Sequence, residues 1–252
     1  MDKFSNFSVI GSGSWGTAIA CHLARIHGSV KIYSDSKEIA DEINNKKLNT
    51  KYLGPISLPN NLVATDKLAE IIGSEIIFIV VPSTGFGNVL EQLKEYNIPS
   101  TTIFVIATKG ISSDPVELLS ARFKRNLPNP FAFFSGPNFA KEVALGKFTS
   151  ATISSEDLSL ANNLAKNMKS NKVMCSRTLE ESNTRLELNK LDVKMMNQSR
   201  FDFPIQDPRS NVYYGFAGLE QVNSNRFGVN TRLQAKDMKP ADYQNKLNNT
   251  KV

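Results

Sequence analysis

The sequence predicts an α/β protein in two parts: a doubly wound, mostly parallel sheet over residues 1–176, and an irregular tail over 177–252. Three observations carry this expectation. Short apolar runs alternate with stretches of helical periodicity through the first three-quarters of the chain, the rhythm of strands joined by crossover helices. One run, Ile76-Ile77-Phe78-Ile79-Val80-Val81, is apolar at every position, as a strand covered on both faces must be. After about Ser176 the composition turns to Asn and Gln with scattered prolines (Pro204, Pro208, Pro240) and no strong apolar strand.

The elements follow in order. Phe7–Ile10 reads as a buried strand. Thr17–Ile26 reads as a helix, with Ile19, Ala20, Leu23 and Ala24 on one face. Val30–Tyr33 is the second strand, and a helix follows over Lys37–Asn44. Gly54, Pro55 and Pro59 mark a loop, and Leu62–Ala64 is a short strand. Asp66 is placed to cap a brief helix through Ile72. Pro82 stops the strand Ile76–Val81, and a helix runs from Phe86 to Glu95. Strand Thr102–Ala107, helix Pro115–Lys124 and strand Phe131–Ser135 come next. Another helix begins near Phe139. Ala151–Ile153 and Val173–Met174 read as strands around a helix over Glu156–Met168. In the tail only Thr178–Met196 has helical spacing, through Leu179, Leu186, Leu188, Leu191 and Met195.

Composition narrows the function classes. The chain has 252 residues, 40% hydrophobic, with a formal charge of +6. A mildly basic balance suits an anionic small ligand. The doublets Lys46-Lys47 and Lys124-Arg125 are isolated, so no nucleic-acid partner is expected. Two cysteines and two histidines leave little from which to build a metal site, and no metal is expected. No apolar run reaches the length of a membrane span. The N-terminus runs straight into the first strand, leaving no room for a signal peptide. The expectation is a cytoplasmic protein; the oligomeric state is open.

The densest chemical signal is the turn Gly11-Ser12-Gly13-Ser14-Trp15-Gly16. It follows a strand and opens an apolar helix. In such a turn the first glycine makes the bend, the second lets a pyrophosphate approach the backbone, and the third lets helix and strand pack closely. The helix N-terminus offers free N–H groups to the phosphates. The context predicts a Rossmann-type domain that binds a nicotinamide dinucleotide. Asp35, just past the second strand, stands where a carboxylate accepts from the adenosine ribose, which favours NAD and leaves NADP possible. A competing role for Asp35 or Ser36 is to cap the next helix. Trp15, inside the turn, belongs to the cofactor side or anchors the core. Phe86 covers the nicotinamide or packs inward. Lys109 lies just past a strand end, where an ammonium can pair with phosphate or polarise a carbonyl. Gly136-Pro137 reads as a rigid turn under a ligand or as a strand-to-helix corner.

Three further segments join the glycine turn: Val80-Val81-Pro82-Ser83, Ala107-Thr108-Lys109-Gly110, and Ser135-Gly136-Pro137-Asn138-Phe139-Ala140-Lys141-Glu142. In this order the four motifs resemble NAD(P)-dependent glycerol-3-phosphate dehydrogenase of the bacterial type, over about Phe7 to Cys175. The resemblance implies interconversion of dihydroxyacetone phosphate and glycerol 3-phosphate for phospholipid synthesis. It puts Ser14, Trp15, Pro82 and Ala140 on the cofactor, Lys109 near both cofactor and substrate, and Gly136 and Asn138 on the substrate. Asn138 replaces the Ser or Thr more usual there. Many members carry a basic or neutral residue where Asp35 stands.

The family continues into an all-helical domain with a catalytic lysine in a Gly-x-x-Lys-Asn segment and a later Arg-Asn pair for the substrate phosphate. After Cys175 no such lysine segment occurs, and Asn223–Gly228 differs from the phosphate-binding region in order and surroundings. The irregular tail stands in place of that domain, so the catalytic residue is unassigned. The expectation is a dehydrogenase by family whose active site is incomplete in this chain. The alternatives are a non-catalytic NAD-binding module, a truncated gene remnant, or a fragment whose uncovered face drives association.

Overall fold

A computed structural model describes residues 4–113 and 115–170, with the backbone alone for Ser113 and 173–179. Strand β1 (Phe7–Ile10) leads into helix α1 (Ser14–Ile26), β2 (Val30–Tyr33) and α2 (Lys37–Lys46). The one-turn α3 (Thr50–Leu53), β3 (Leu62–Thr65) and a 3₁₀ turn (Leu68–Ile71) follow. Then come β4 (Ile76–Ile79), α4 (Ser83–Lys94), β5 (Ile103–Ile106), and a small hairpin of β6 (Ser112–Ser113) and β7 (Val116–Glu117). The remaining elements are α5 (Leu119–Asn126), β8 (Phe131–Ser135), α6 (Ala140–Ala144), β9 (Thr149–Ser155), α7 (Leu158–Met168) and β10 (Val173–Leu179).

Eight strands form one sheet in the order β10-β9-β8-β5-β4-β1-β2-β3. Every pairing is parallel except β8 with β9. The exception has a local cause. A parallel return needs a crossover of a dozen residues or more, usually a full helix, and α6 has five residues. The chain therefore doubles back beside β8 before α7 carries it across to β10.

The all-apolar strands do what their composition requires. Ile76 and Phe78 of β4 face one core with Val105, Ala132 and Phe134, beneath α1, α2, α6 and α7. Ile77 and Ile79 face the other with Phe104, Ile106 and Phe133, beneath α4, α5 and the 3₁₀ turn. Helices thus cover both faces, and the doubly wound expectation holds.

Several boundaries differ from the sequence reading. Asp66 does not cap the 3₁₀ turn; Lys67 stands at its N-cap with no side-chain cap bond, and Thr65 Oγ1 accepts the Lys67 N–H instead. The helix expected from Pro115 begins only at Leu119, because Val116 and Glu117 pair with Ser113 and Ser112 and Arg125 grips Glu117 through two hydrogen bonds. Strand β10 runs three residues past the expected boundary at 176. Thr178 and Leu179 are therefore strand, and the rest of the expected helix lies outside the described residues.

Helix α1 lies between sheet and neighbours, and the polar groups of its C-terminal half, from the buried His22 to His27 at the cap, have defined partners. His22 Nε2 donates to the Met168 carbonyl at 2.8 Å, His27 Nε2 to the Asn167 carbonyl at 2.9 Å, and the Arg25 guanidinium to the carbonyls of Val143 and Ala144. Cys21 is buried, which pushes its thiol up to about 11 and keeps it protonated and inert. Burial also holds the His22 pKa below the ordinary 6.5, outweighing the bond to Met168. The unfolded chain therefore takes up this proton first as pH falls. Stability is full above about pH 6.5 and is lost as pH drops from there toward the folded-state value. The melting temperature should fall between pH 7 and 5.5, and His22→Gln should flatten that slope. Parallel profiles for the two proteins would refute the assignment.

Candidate functional site

Strands β2, β1, β4, β5 and β8 are parallel, so their C-terminal ends share one edge of the sheet. That edge collects the glycine turn after β1, Asp35 after β2, Pro82 after β4, Lys109 after β5, and Gly136 with Asn138 after β8. Strand β1 lies between β2 and β4, so the chain leaves it in opposite directions and opens a crevice at its end, where ligands of open α/β sheets bind.

The three glycines of the turn meet different demands. Gly11 has φ +110°, and a Cβ there would lie 2.3 Å from the Val80 carbonyl oxygen. A Cβ on Gly16 would lie 1.9 Å from the Gly11 carbonyl oxygen. Neither position admits a side chain. A Cβ on Gly13 would meet nothing within 4 Å, and Gly13 has an ordinary extended conformation, φ −66° and ψ −179°. Its bareness opens space at the edge instead of relieving a clash. Gly13 is the N-cap of α1 and offers no side-chain cap bond, so the N–H groups of Ser14, Trp15 and Gly16 have no intrahelical acceptor. No acidic side chain sits in that first turn. Open space before a 13-residue helix with free N–H groups fits a pyrophosphate.

Beneath the turn is a polar layer that the sequence reading missed. Ser12 and Ser34 share a hydrogen bond of 2.7 Å between their hydroxyls, tying the turn to the end of β2. Asn49 donates to the Ser12 carbonyl and to Thr17 Oγ1, both at 2.8 Å. No periodicity or motif marks Asn49; only its contacts do.

At β2, Ser36 caps α2, accepting from the Ile39 N–H and donating to Glu38. The competing cap role therefore falls to Ser36. Asp35 is exposed and has no hydrogen-bond partner among the described residues.

At β5, the buried Thr108 hydroxyl bridges to the end of β4 through the Ile79 carbonyl and the Val81 N–H, both at 3.4 Å. Next to it, Lys109 places its ammonium 5.0 Å from the centre of the Trp15 ring, within cation–π range. Solvent reaches the Lys109 side chain. The surrounding protein nevertheless desolvates the ammonium and lowers its pKa from the ordinary lysine value. Trp15 packs on the core, stacks toward Phe134 with centroids 6.3 Å apart, and buries an indole Nε1 with no partner. It thus serves both as core anchor and as one wall of this edge.

At β8, Asn138 donates to Thr149 Oγ1 at 2.6 Å and to the Ser150 carbonyl at 2.7 Å, pinning the corner to β9. Its Oδ1 is buried without a partner. A Cβ on Gly136 would lie 2.5 Å from the Ser150 carbonyl oxygen, so the passing β9 alone demands glycine there. Pro82 is exposed at the head of α4, and Ala140 is half-buried at the start of α6.

Phe86 packs inward and does not reach the sheet edge to cover a nicotinamide. Helix α4 starts at Ser83, one turn earlier than expected, which sets Phe86 in line with Leu90 and Leu93 on the face packed against the sheet. Fully buried, it packs and does not cover a ligand. Among the described residues no three His, Cys, Asp or Glu side chains gather as a metal site, and no helix is long and apolar enough to cross a membrane.

Comparison with known proteins agrees with this geometry. The family described as NAD-dependent glycerol-3-phosphate dehydrogenase N-terminus matches residues 6–161. A glycerol-3-phosphate dehydrogenase [NAD(P)+] of Rickettsia bellii is 46% identical over 177 residues, covering 70% of this chain and 56% of that protein. Among solved structures, glycerol-3-phosphate dehydrogenase from Coxiella burnetii superposes with a TM-score of 0.65 at 30% identity, covering 70% of this chain and 54% of that one. The Plasmodium falciparum enzyme gives the same TM-score at 29% identity, covering 70% and 53%. The chain therefore spans a little over half the length of the relatives it matches.

Proposed function

Because the chain belongs to the NAD-dependent glycerol-3-phosphate dehydrogenase family through that family's N-terminal domain, we propose that its sheet edge holds NAD and faces a small phosphorylated substrate, dihydroxyacetone phosphate or glycerol 3-phosphate. One observation carries the cofactor half: Gly13 opens space before a helix start whose N–H groups are free, between two glycines that cannot be replaced. The pyrophosphate would lie there, against Ser14 and Trp15, with Pro82 and Ala140 along its course. Asp35, free of the cap, would accept from the adenosine ribose hydroxyls and repel a 2′-phosphate, favouring NAD over NADP.

A nicotinamide bound at this edge would supply or take the hydride. On the substrate side, Lys109 is the one cation among the edge residues named from the sequence. Its lowered pKa makes it a readier proton donor, and its charge can pair with a phosphate or polarise a carbonyl. Asn138 has spent both N–H donors on β9 and buries its Oδ1, so it would shape the substrate side, beside Gly136, by holding the corner in place. The buried free thiol of Cys21 suits the cytoplasm, a reducing compartment.

The relatives extend well beyond the shared region, and none of the described residues replaces the lysine that the resemblance places beyond it. We therefore expect this chain to bind NADH and to turn over very slowly or not at all. The test is NADH oxidation with dihydroxyacetone phosphate at high protein concentration, repeated with NADPH and with Lys109→Ala and Asp35→Asn. Residual turnover should vanish in Lys109→Ala, and Asp35→Asn should narrow the preference for NADH. A rate of a few per second, ordinary for enzymes, would overturn the incomplete site, and unchanged selectivity would remove Asp35 from the ribose. A folded chain that binds NADH without any turnover is a dinucleotide-binding module that has lost the chemistry.

A further inference from the structure

We propose that Asn49 is a positioning residue for dinucleotide binding, fixing the glycine turn from beneath; the proposal rests on the reading that this turn holds the pyrophosphate. Asn49 is fully buried at the N-cap of α3, yet its side chain makes no cap bond to that helix. Both amide hydrogens go into the glycine turn instead, one to the Ser12 carbonyl and one to Thr17 Oγ1, each at 2.8 Å. Thr17 Oγ1 in turn donates to the same Ser12 carbonyl at 3.1 Å. Because that carbonyl only accepts, the amide must present Nδ2 and not Oδ1 to it.

The cost of this orientation is visible. Asn49 Oδ1 is left buried with no partner, and a buried unsatisfied acceptor destabilises the fold. An apolar side chain would avoid that cost, so the two donors are the distinctive contribution of this residue. Ser12 needs them because it lies between Gly11 and Gly13, and glycines leave the intervening peptide free to rotate. Two hydrogen bonds on the Ser12 carbonyl, with Ser34 on its hydroxyl, remove that freedom before any ligand arrives. The free N–H groups of the first turn of α1 are then held ready, and the ordering cost does not fall on binding.

The test measures NADH, ADP and adenosine affinities by calorimetry on the full chain, in Asn49→Ala, Thr17→Val, Thr17→Ser and Gly13→Asp. Asn49→Ala should weaken NADH and ADP by roughly tenfold, about the effect of one lost hydrogen bond, and leave adenosine, which lacks the pyrophosphate, nearly unchanged. The emission of Trp15, the single tryptophan, should shift with it. Thr17→Val should weaken NADH likewise but add little in the Asn49→Ala background, while Thr17→Ser keeps the hydroxyl and binds normally. Unchanged NADH affinity in folded Asn49→Ala, or adenosine weakened as much as NADH, would overturn the role. Should Asn49→Ala fail to fold, equal NADH affinities in Thr17→Val and Thr17→Ser overturn it instead. Normal binding by Gly13→Asp would remove the pyrophosphate reading itself, and the positioning role with it.

Discussion

Gly13→Asp should leave the protein as stable as before, or more so, while abolishing dinucleotide binding. Gly13 is the N-cap of α1 in an extended conformation that any residue adopts, and a Cβ there touches nothing. Aspartate is among the best N-cap residues, and its charge suits the positive end of the helix. Against glycine the gain is a few tenths of a kcal/mol for the cap and up to about 1 kcal/mol for the charge. The same carboxylate would bond the free N–H groups, occupy the open space and repel a pyrophosphate. NADH affinity should fall by about a hundredfold or more, on the order of 3 kcal/mol. Thermal melts beside calorimetric titrations check both halves. Normal NADH binding would mean that the phosphates do not lie at this turn.

Gly16→Ala should do the opposite, damaging the fold first and binding as a consequence. Its Cβ would lie 1.9 Å from the Gly11 carbonyl oxygen, and backbone cannot yield as a flexible side-chain tip can. Helix α1 would have to lift from the turn, disturbing a face on which Gly16 through Ala24 are all buried. Overpacking costs of this kind run to about 3 kcal/mol or more, a drop of roughly 10 °C in melting temperature for a domain of this size. Gly85→Ala is the matched control. It lies in α4 with ordinary φ and nothing within 4 Å of a Cβ, so it should be neutral or stabilising by about 0.5–1 kcal/mol. If Gly16→Ala melts with wild type, the close packing of helix on turn is not what holds α1 in place.

The paired predictions show what kind of information a glycine letter carries. Gly11, Gly13 and Gly16 are identical letters in the sequence, and only their positions in the turn distinguish their three duties. The structure supplies a different physical reason at each: a positive φ with a carbonyl behind it, an empty space, and a backbone contact. Gly136-Pro137 reads from sequence as a turn under a ligand or as a strand-to-helix corner, and β9 accounts for the glycine without any ligand. Phe86 shows the limit of local reading. An aromatic near a helix start is ambiguous until the helix phase is known, and the start at Ser83 turns it inward.

By itself the sequence determined most of the strand and helix order, the two-sided burial of β4, the place of the glycine turn after β1, and the family. These follow from short-range rules, since apolar runs, helical periods and glycine spacing act within a few neighbours along the chain. Only the tertiary structure decided the reversal of β9, the hairpin in place of the first turn of α5, the cap at Ser36 that frees Asp35, and the Lys109–Trp15 contact. It alone also revealed Asn49 beneath the turn. The Lys109–Trp15 and Asn49–Ser12 contacts join residues far apart in sequence, and the cap and the hairpin are choices among competing local partners; distance and burial decide all of them, and no local pattern encodes those.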